Sequence, residues 1–273
     1  MTFLSKLEQS IKTNNSLLCV GLDTDFEKLP QAVKKHHEPL FAFNKEIIDA
    51  TYNLVCSYKI QIAYYASLGI PGLQALTQTI HYIHANYPSI PVILDAKRAD
   101  IGETSKRYAQ EAFDVFEADA LTVNPYLGKD ALIPFFKYSD KGIFVLCRTS
   151  NKGASDFQNL KTGGEPLYVR VAKEVAMWNK DYGNCMLVVG ATWPEEMRII
   201  REATTAMFIL VPGIGAQGGD LEKILHSGLR QDKSGLIIHS ARSILYASSD
   251  DDFAKHAAEE ASKLKDTINQ FRV

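Results

Sequence analysis

The stretch Pro91-Val92-Ile93-Leu94-Asp95-Ala96-Lys97-Arg98-Ala99-Asp100-Ile101-Gly102-Glu103-Thr104 decides the fold. It opens with four apolar residues, turns to charge, and leads into an amphipathic run. The first part reads as a buried strand whose tip is charged. Side chains alternate across a strand, so Asp95 and Lys97 are expected on the same side. Opposite charges at the end of an apolar strand are costly to place there without a use. Asp100 lies at the turn into the next helix, and with Glu103 it fits D-x-x-E, the pattern of a capping box that opens a helix at 103. A strand, a charged tip and a helix make one β-α unit.

The same unit recurs on both sides. Short apolar runs at 17–23, 56–64, 92–97, 120–124, 142–148, 186–191, 208–211 and 236–239 read as strands. Between and after them, residues 38–55, 72–86, 103–117, 129–137, 165–180, 194–203, 220–228 and 252–271 carry apolar positions at spacings of three and four, which predicts helices. One further amphipathic helix, 2–13, precedes the first strand. The strands are nearly continuous apolar runs, as in a parallel sheet covered by helices. Eight such units within 273 residues indicate an α/β fold, a single (β/α)8 TIM barrel spanning 1–273 with an extra N-terminal helix. A doubly wound open sheet is the main rival. The polar, glycine-bearing segment 149–164 is the longest stretch without a pattern and reads as a binding loop or lid.

Composition narrows the function. The chain is 46% hydrophobic and 23% charged, with a net charge of −2. Nothing in that balance points to nucleic acid or an acidic membrane surface. No apolar stretch approaches the length of a membrane span, and the opening MTFLSKLEQSIKTNN lacks the apolar core of a signal peptide. A cytoplasmic location is expected. Cys19, Cys56, Cys147 and Cys185 form no CxxC pair and sit in or beside strand-like runs, so they read as buried reduced thiols. The histidines show no metal-ligand spacing.

In a barrel of this kind catalytic groups gather at the C-terminal ends of the strands. Those ends carry Asp23, Lys59, the pair Asp95 and Lys97 with Asp100 just beyond, Arg148-Thr149-Ser150, and Ser240-Ala241-Arg242. The seventh strand runs into Val211-Pro212-Gly213-Ile214-Gly215-Ala216-Gln217-Gly218-Gly219-Asp220. Glycines let a backbone approach an anion and present its N–H groups. Phosphate sites of these barrels lie after strands seven and eight, and Arg242 falls where a bidentate phosphate contact is wanted. The glycine spacing does not match a dinucleotide-binding fingerprint. For each charged residue alone a structural role, as an ion pair, a turn cap or a snorkelling lysine, is as good a reading; for all of them at one mouth it is a poor one.

Asp95-x-Lys97-x-x-Asp100 followed by Ile101-Gly102-x-Thr104 resembles the orotidine 5'-phosphate decarboxylase family. So do Val20-Gly21-Leu22-Asp23, Tyr58-Lys59-Ile60-Gln61 and the 210–219 loop, the last two being similar to the longer bacterial subgroup. D-x-K-x-x-D alone is shared with related phosphosugar enzymes; the extended DAKRADIGxT string with the phosphate loop is more specific. The resemblance implies decarboxylation of orotidine 5'-phosphate to UMP and CO2 without a cofactor, the last step of de novo pyrimidine synthesis, by a homodimer with shared active sites. It implies an alternating array of Lys59, Asp95, Lys97 and Asp100, with Asp100 and Thr104 donated across the dimer interface. Asp23 would bind ribose hydroxyls. Ser150, or its neighbour Thr149, would bond the pyrimidine. Gln217 and Arg242 would hold the phosphate, with Pro212 and Gly218 of the same loop lining its site.

Loss of CO2 leaves charge at C6 with no π-system to absorb it. No thiamine, pyridoxal or metal motif is visible in the sequence, so fixed charges are expected to carry the reaction, Lys97 protonating C6. Two other readings of the same residues are a phosphosugar lyase or aldolase, with Lys59 or Lys97 as Schiff-base nucleophile, and a non-catalytic barrel that binds a phosphorylated ligand.

Overall fold

The computed structural model describes residues 1–214 and 220–272. Among them eight parallel strands close into a barrel: β1 Leu18–Gly21, β2 Ser57–Gln61, β3 Val92–Arg98, β4 Ala120–Val123, β5 Gly142–Arg148, β6 Cys185–Val189, β7 Ile209–Val211 and β8 Leu236–Ser240. Each strand pairs with its neighbours in sequence, and β1 closes the ring on β8 with Leu18 opposite Ile238. The strands are buried almost throughout, which is why they read as unbroken apolar runs. The open-sheet rival is excluded by the closure.

The main helices are α1 Phe3–Asn14, α2 Pro39–Thr51, α3 Gly69–Asn86, α4 Gly102–Gln110, α5 Lys129–Phe136, α6 Leu167–Tyr182, α7 Pro194–Ala203, α8 Leu221–Gly228 and α9 Phe253–Gln270. The extra helix α1 has a specific task. Thr2 caps it by accepting from Ser5 N, and Asn15 ends it in the left-handed region. Its buried face, Phe3, Leu7 and Ile11, recurs every four residues. Phe3 meets Phe144 edge-on at 5.7 Å. A side chain at Gly142 would stand 2.4 Å from the Phe3 ring, so glycine opens the room the ring occupies. Full burial of each large apolar side chain contributes about 1.5–3 kcal/mol. Lys6 reaches Asp119 at 3.0 Å, and Asn14 donates to the carbonyls of Tyr52 and Val55. All these contacts lie at the N-terminal ends of the strands. Helix α1 therefore covers the bottom of the barrel and leaves the C-terminal mouth as the working end.

Several local expectations need correction. Strand β2 stops at Gln61 and does not reach Tyr64. The Gln61 side chain accepts from Ala63 N and starts a short helix, Ile62–Ala66, before α3 begins at Gly69. The capping box at Asp100 and Glu103 does not form. Asp100 accepts from Ile101 N at 2.7 Å, and the residue that flanks α4 is Ile101. Helix α4 loses its regular pitch at Glu111 and continues as a π turn, Glu111–Val115. The 149–164 segment is not without structure: it holds a 3-10 turn, Lys152–Asp156, and a two-stranded ladder of Lys161–Thr162 with Glu165–Pro166. Helix α6 accordingly starts at Leu167, two residues later than its periodicity indicates. The four cysteines are free and buried, and burial pushes the Cys19 thiol up to about 12. Among the described residues no helix is long and apolar enough to cross a membrane.

Candidate active site

Parallel pairing aligns the strand ends that the sequence decorates. Gly21 lies opposite Lys59, and Gln61 opposite Asp95. The result is a cavity of about 320 Å³ at the C-terminal mouth, lined by Asp23, Lys59, Tyr64, Asp95, residues 212–214, His239 and residues 240–242.

Its floor is a chain of alternating charge. Lys59, 2% exposed, lies between Asp23 Oδ1 at 3.3 Å and Asp95 Oδ2 at 3.1 Å. Lys97 Nζ sits 2.7 Å from Asp95 Oδ1, and the Thr122 hydroxyl donates to the same oxygen at 2.7 Å. Burial alone would favour neutral forms. The charges overcome it: Asp23 and Asp95 hold Lys59 above the usual lysine range, and Lys59 with Lys97 holds Asp95 below the usual carboxylate range. Both shifts point to ionised groups in contact. His239 is the opposite case. Burial, reinforced by the nearby Lys59 charge, pushes its imidazole well below 6.5 and keeps it neutral.

Simple alternation does not explain how Asp95 and Lys97 meet. Lys97 has φ +49°, in the left-handed region, and the β3–β4 register shifts between Leu94 and Arg98. Non-glycine residues enter that region at a cost of about 1–3 kcal/mol, so the surrounding structure has to hold Lys97 there. The bulge turns the Lys97 side chain, which is 45% exposed, over Asp95 and toward the mouth.

The remaining expected residues divide. Pro212 and Arg242 line the mouth, Arg242 from the start of a short helix, Arg242–Leu245. Gln217 and Gly218 lie outside the described residues. Ser150 follows β5 and packs against Gly190, where a Cβ would stand 2.7 Å from the Ser150 Cβ. The Thr149 hydroxyl is engaged with Asn151 and Gln158. Arg148 is fully buried, lies 4.0 Å above the Trp193 ring and does not line the cavity. Asp100 and Thr104 are not brought to the cavity. Asp100 is half-buried beyond the end of β3, and Thr104 is exposed on α4. Ile101 beside them is exposed, as are Tyr126 and Leu127 after the neighbouring strand β4.

Three residues of the site escape sequence reasoning. His239 ends an apolar strand, a visible signal that metal-ligand spacing is not designed to catch. Tyr64 falls within the strand that periodicity predicts at 56–64 and instead lines the mouth from the short helix after β2. Thr122 reads as an ordinary β-former, and only its contacts set it apart. Among the described residues no group of three or more His, Cys, Asp or Glu side chains is placed to hold a metal ion. A larger apolar cleft, about 700 Å³, opens beneath residues 157 and 158 against α6; it carries no charged array.

Comparison with known proteins agrees with this geometry. Residues 16–257 match the family described as orotidine 5'-phosphate decarboxylase / HUMPS. A protein of Cellvibrio japonicus (strain Ueda107) named orotidine 5'-phosphate decarboxylase is 53% identical over 275 residues, covering 100% of both chains. The structure of Leishmania donovani OMP decarboxylase is similar with a TM-score of 0.85 and 39% identity, over 100% of this chain and 99% of that one. The structure of Leishmania donovani UMP synthase is similar with a TM-score of 0.89 and 40% identity, and there this chain, covered in full, spans 57% of the other. The chain belongs to the orotidine 5'-phosphate decarboxylase / HUMPS family.

Proposed function

We propose that this chain decarboxylates orotidine 5'-phosphate to UMP and CO2, the last step of de novo pyrimidine synthesis, as one barrel domain working in the cytoplasm. The observation that carries the reading is the Lys59–Asp95–Lys97 array at the mouth. In the reaction the bond between C6 and the carboxylate carbon breaks, and its electron pair stays on C6. Lys97, the exposed end of the array, is the cation that stabilises this pair and then gives C6 a proton. Asp95 holds the ammonium in place and sets a negative charge where the substrate carboxylate arrives. Lys59 and Asp23 keep Asp95 oriented before substrate enters. Charges fixed in advance in a water-poor site cost no reorganisation at the moment of reaction. Enzymes lower barriers by about 8–23 kcal/mol, and this reaction draws on the upper part of that range.

Arg242, Gln217, Gly218 and Pro212 take the phosphate, Asp23 the ribose hydroxyls and Ser150 the pyrimidine. The engaged Thr149 hydroxyl favours Ser150 over its neighbour. Gripping the phosphate far from C6 supplies binding energy that helps drive closure and expel water.

The active form is a homodimer in which Asp100 and Thr104 complete the partner's site. Their position away from their own mouth, beside exposed Ile101, Tyr126 and Leu127, supports this. Mixing inactive Lys97→Ala and Asp100→Ala chains then regenerates sites with both native residues. Random re-association of equal amounts returns roughly a quarter of native activity. No recovery in confirmed mixed dimers refutes sharing.

A Schiff-base aldolase is disfavoured because its lysine must shed a proton, and both candidates are paired with carboxylates, Lys59 with Asp23 and Asp95 and Lys97 with Asp95. A non-catalytic barrel has no need of so many paired charges in one mouth. The deciding assay is loss of the orotidine 5'-phosphate absorbance band with purified protein in EDTA. No turnover refutes the decarboxylase reading, and turnover abolished by EDTA refutes its metal-free chemistry.

A further inference from the structure

We propose that Thr122 is a positioning residue for this reaction, its hydroxyl setting the backbone and the carboxylate that together aim Lys97 at the substrate. The inference rests on the decarboxylase reading and deepens it. Thr122 lies in the middle of β4 and is 1% exposed. A hydroxyl offers one donor and two acceptor sites, and here all three are in use. It donates to Asp95 Oδ1 at 2.7 Å and accepts from Ala96 N at 3.1 Å and Lys97 N at 3.0 Å.

Those two N–H groups are where the β3–β4 ladder fails. Regular pairing runs through Leu94 opposite Leu121 and resumes with Arg98 opposite Val123. The residues between have no strand partner on β4, and the Thr122 oxygen replaces one. The bulge it supports contains the left-handed Lys97. On its far side the chain is fixed again. Asn124 N donates to the Arg98 carbonyl at 3.0 Å, and the Arg98 guanidinium forks onto Glu111 at 3.0 Å while lying 4.6 Å from the Tyr108 ring centroid. The turn that carries Lys97 is thus held between one hydroxyl and one ion pair.

A packing role alone asks for a β-branched side chain, which valine supplies. The hydroxyl does something valine cannot. It links the two halves of the Asp95–Lys97 contact, since the same Oδ1 receives Thr122 and Lys97 Nζ. It fixes the rotation of the carboxylate while it fixes the backbone of the lysine, so their separation is set from one point.

The test compares Thr122→Val and Thr122→Ser with the native enzyme, using orotidine 5'-phosphate turnover, UMP affinity and pH profiles. Losing hydrogen bonds of this kind slows kcat roughly 10- to 100-fold in Thr122→Val, while UMP binds within about threefold of native because phosphate and ribose contacts are untouched. Serine restores most of the rate. In the valine variant Asp95 takes up its proton at a higher pH than in the native enzyme, because the ionised carboxylate has lost a donor. Thr122→Cys, with a weakly hydrogen-bonding thiol of similar size, is read the same way if the valine variant does not fold. Native kcat in the folded valine or cysteine variant, or failure of serine to restore it, overturns the proposal. A crystal structure of the folded variant gives a readout independent of turnover. Lys97 is expected to leave its positive φ or its contact with Asp95, and retention of both overturns the proposal even if the native enzyme proves not to be a decarboxylase.

Discussion

Asp95→Asn keeps the shape of the central side chain and removes its charge. Both oxygens of Asp95 are in use, Oδ1 by Lys97 and Thr122 and Oδ2 by Lys59. An amide can accept on one side only, because its other end is a donor facing a donor. If the amide oxygen stays with Lys97 and Thr122, the buried Lys59 keeps only Asp23, at 3.3 Å. At an effective dielectric of about 20, a charge pair at the 3.1 Å Lys59–Asp95 separation attracts by about 5 kcal/mol before desolvation is counted. Stranding one partner of a buried pair costs about 3–5 kcal/mol, and the surviving Asp23 contact brings the expectation to about 2–4 kcal/mol. The Lys97 side chain is 45% exposed, so solvent screening leaves its share small. The effect on catalysis is larger, because both lysines lose the charge that holds them in register. Turnover is expected to fall roughly 10²- to 10⁴-fold. Urea unfolding followed by circular dichroism measures the first effect, and loss of the orotidine 5'-phosphate absorbance band the second. An unchanged unfolding midpoint with turnover within about tenfold of native refutes the view of Asp95 as the hub of the array.

Arg242→Ala removes the exposed guanidinium at the mouth. Its KM for orotidine 5'-phosphate should rise roughly 10- to 100-fold, and affinity for a nucleoside without phosphate should not change; equal loss for both ligands counts against a phosphate contact. Gly21→Ala would put a Cβ 2.3 Å from His239 Nε2 and 2.7 Å from the Ala241 side chain. Overpacking of this kind costs about 1–3 kcal/mol, and a native melting temperature shows that the wall yields freely. At the foot of the barrel, Asp119 accepts from Lys6, His84 and Val92 N. Burial alone would raise its pKa, but the His84 hydrogen bond and the Lys6 charge bring it below 3.8. A depressed carboxylate contributes stability above its unfolded pKa and loses it as pH falls through the folded one. The native protein should therefore lose this contribution progressively as pH falls from the ordinary carboxylate value toward the lowered one. Asp119→Asn should be less stable near neutral pH and should lose less on acidification, with turnover unchanged; parallel stability profiles refute the assignment.

Much of the barrel is legible in the chain because its strands are apolar on both faces and its helices on one. Periodicity records which faces are covered, and parallel strands are covered twice. Element ends were less legible. Gln61 ends β2 by capping a helix with its own side chain, and a local hydrogen bond of that kind leaves no mark on hydrophobic periodicity. The failed capping box at Asp100 has the same origin. Its carboxylate took the nearest N–H, Ile101, instead of one three residues on. Of the candidate site, Asp23, Lys59, Asp95 and Lys97 stand out because charge at the end of an apolar strand needs a reason. His239 and Thr122 do not, since one histidine or threonine in a strand is ordinary until its neighbours are known.

The residue types alone determined the alternation of strands and helices and the charged tips, because these are local and recur along the chain. The tertiary structure decided which of those tips meet. It put Lys59 between Asp23 and Asp95, residues far apart in sequence that the parallel pairing of β1, β2 and β3 brings within hydrogen-bonding distance. It also changed how the 95–100 segment works. A bulge with a left-handed Lys97 brings Asp95 and Lys97 together, and Asp100 is left off the mouth of its own chain. Alternation is a property of a regular strand. The position of a bulge depends on the adjacent strand, whose Thr122 hydroxyl stands where the ladder breaks.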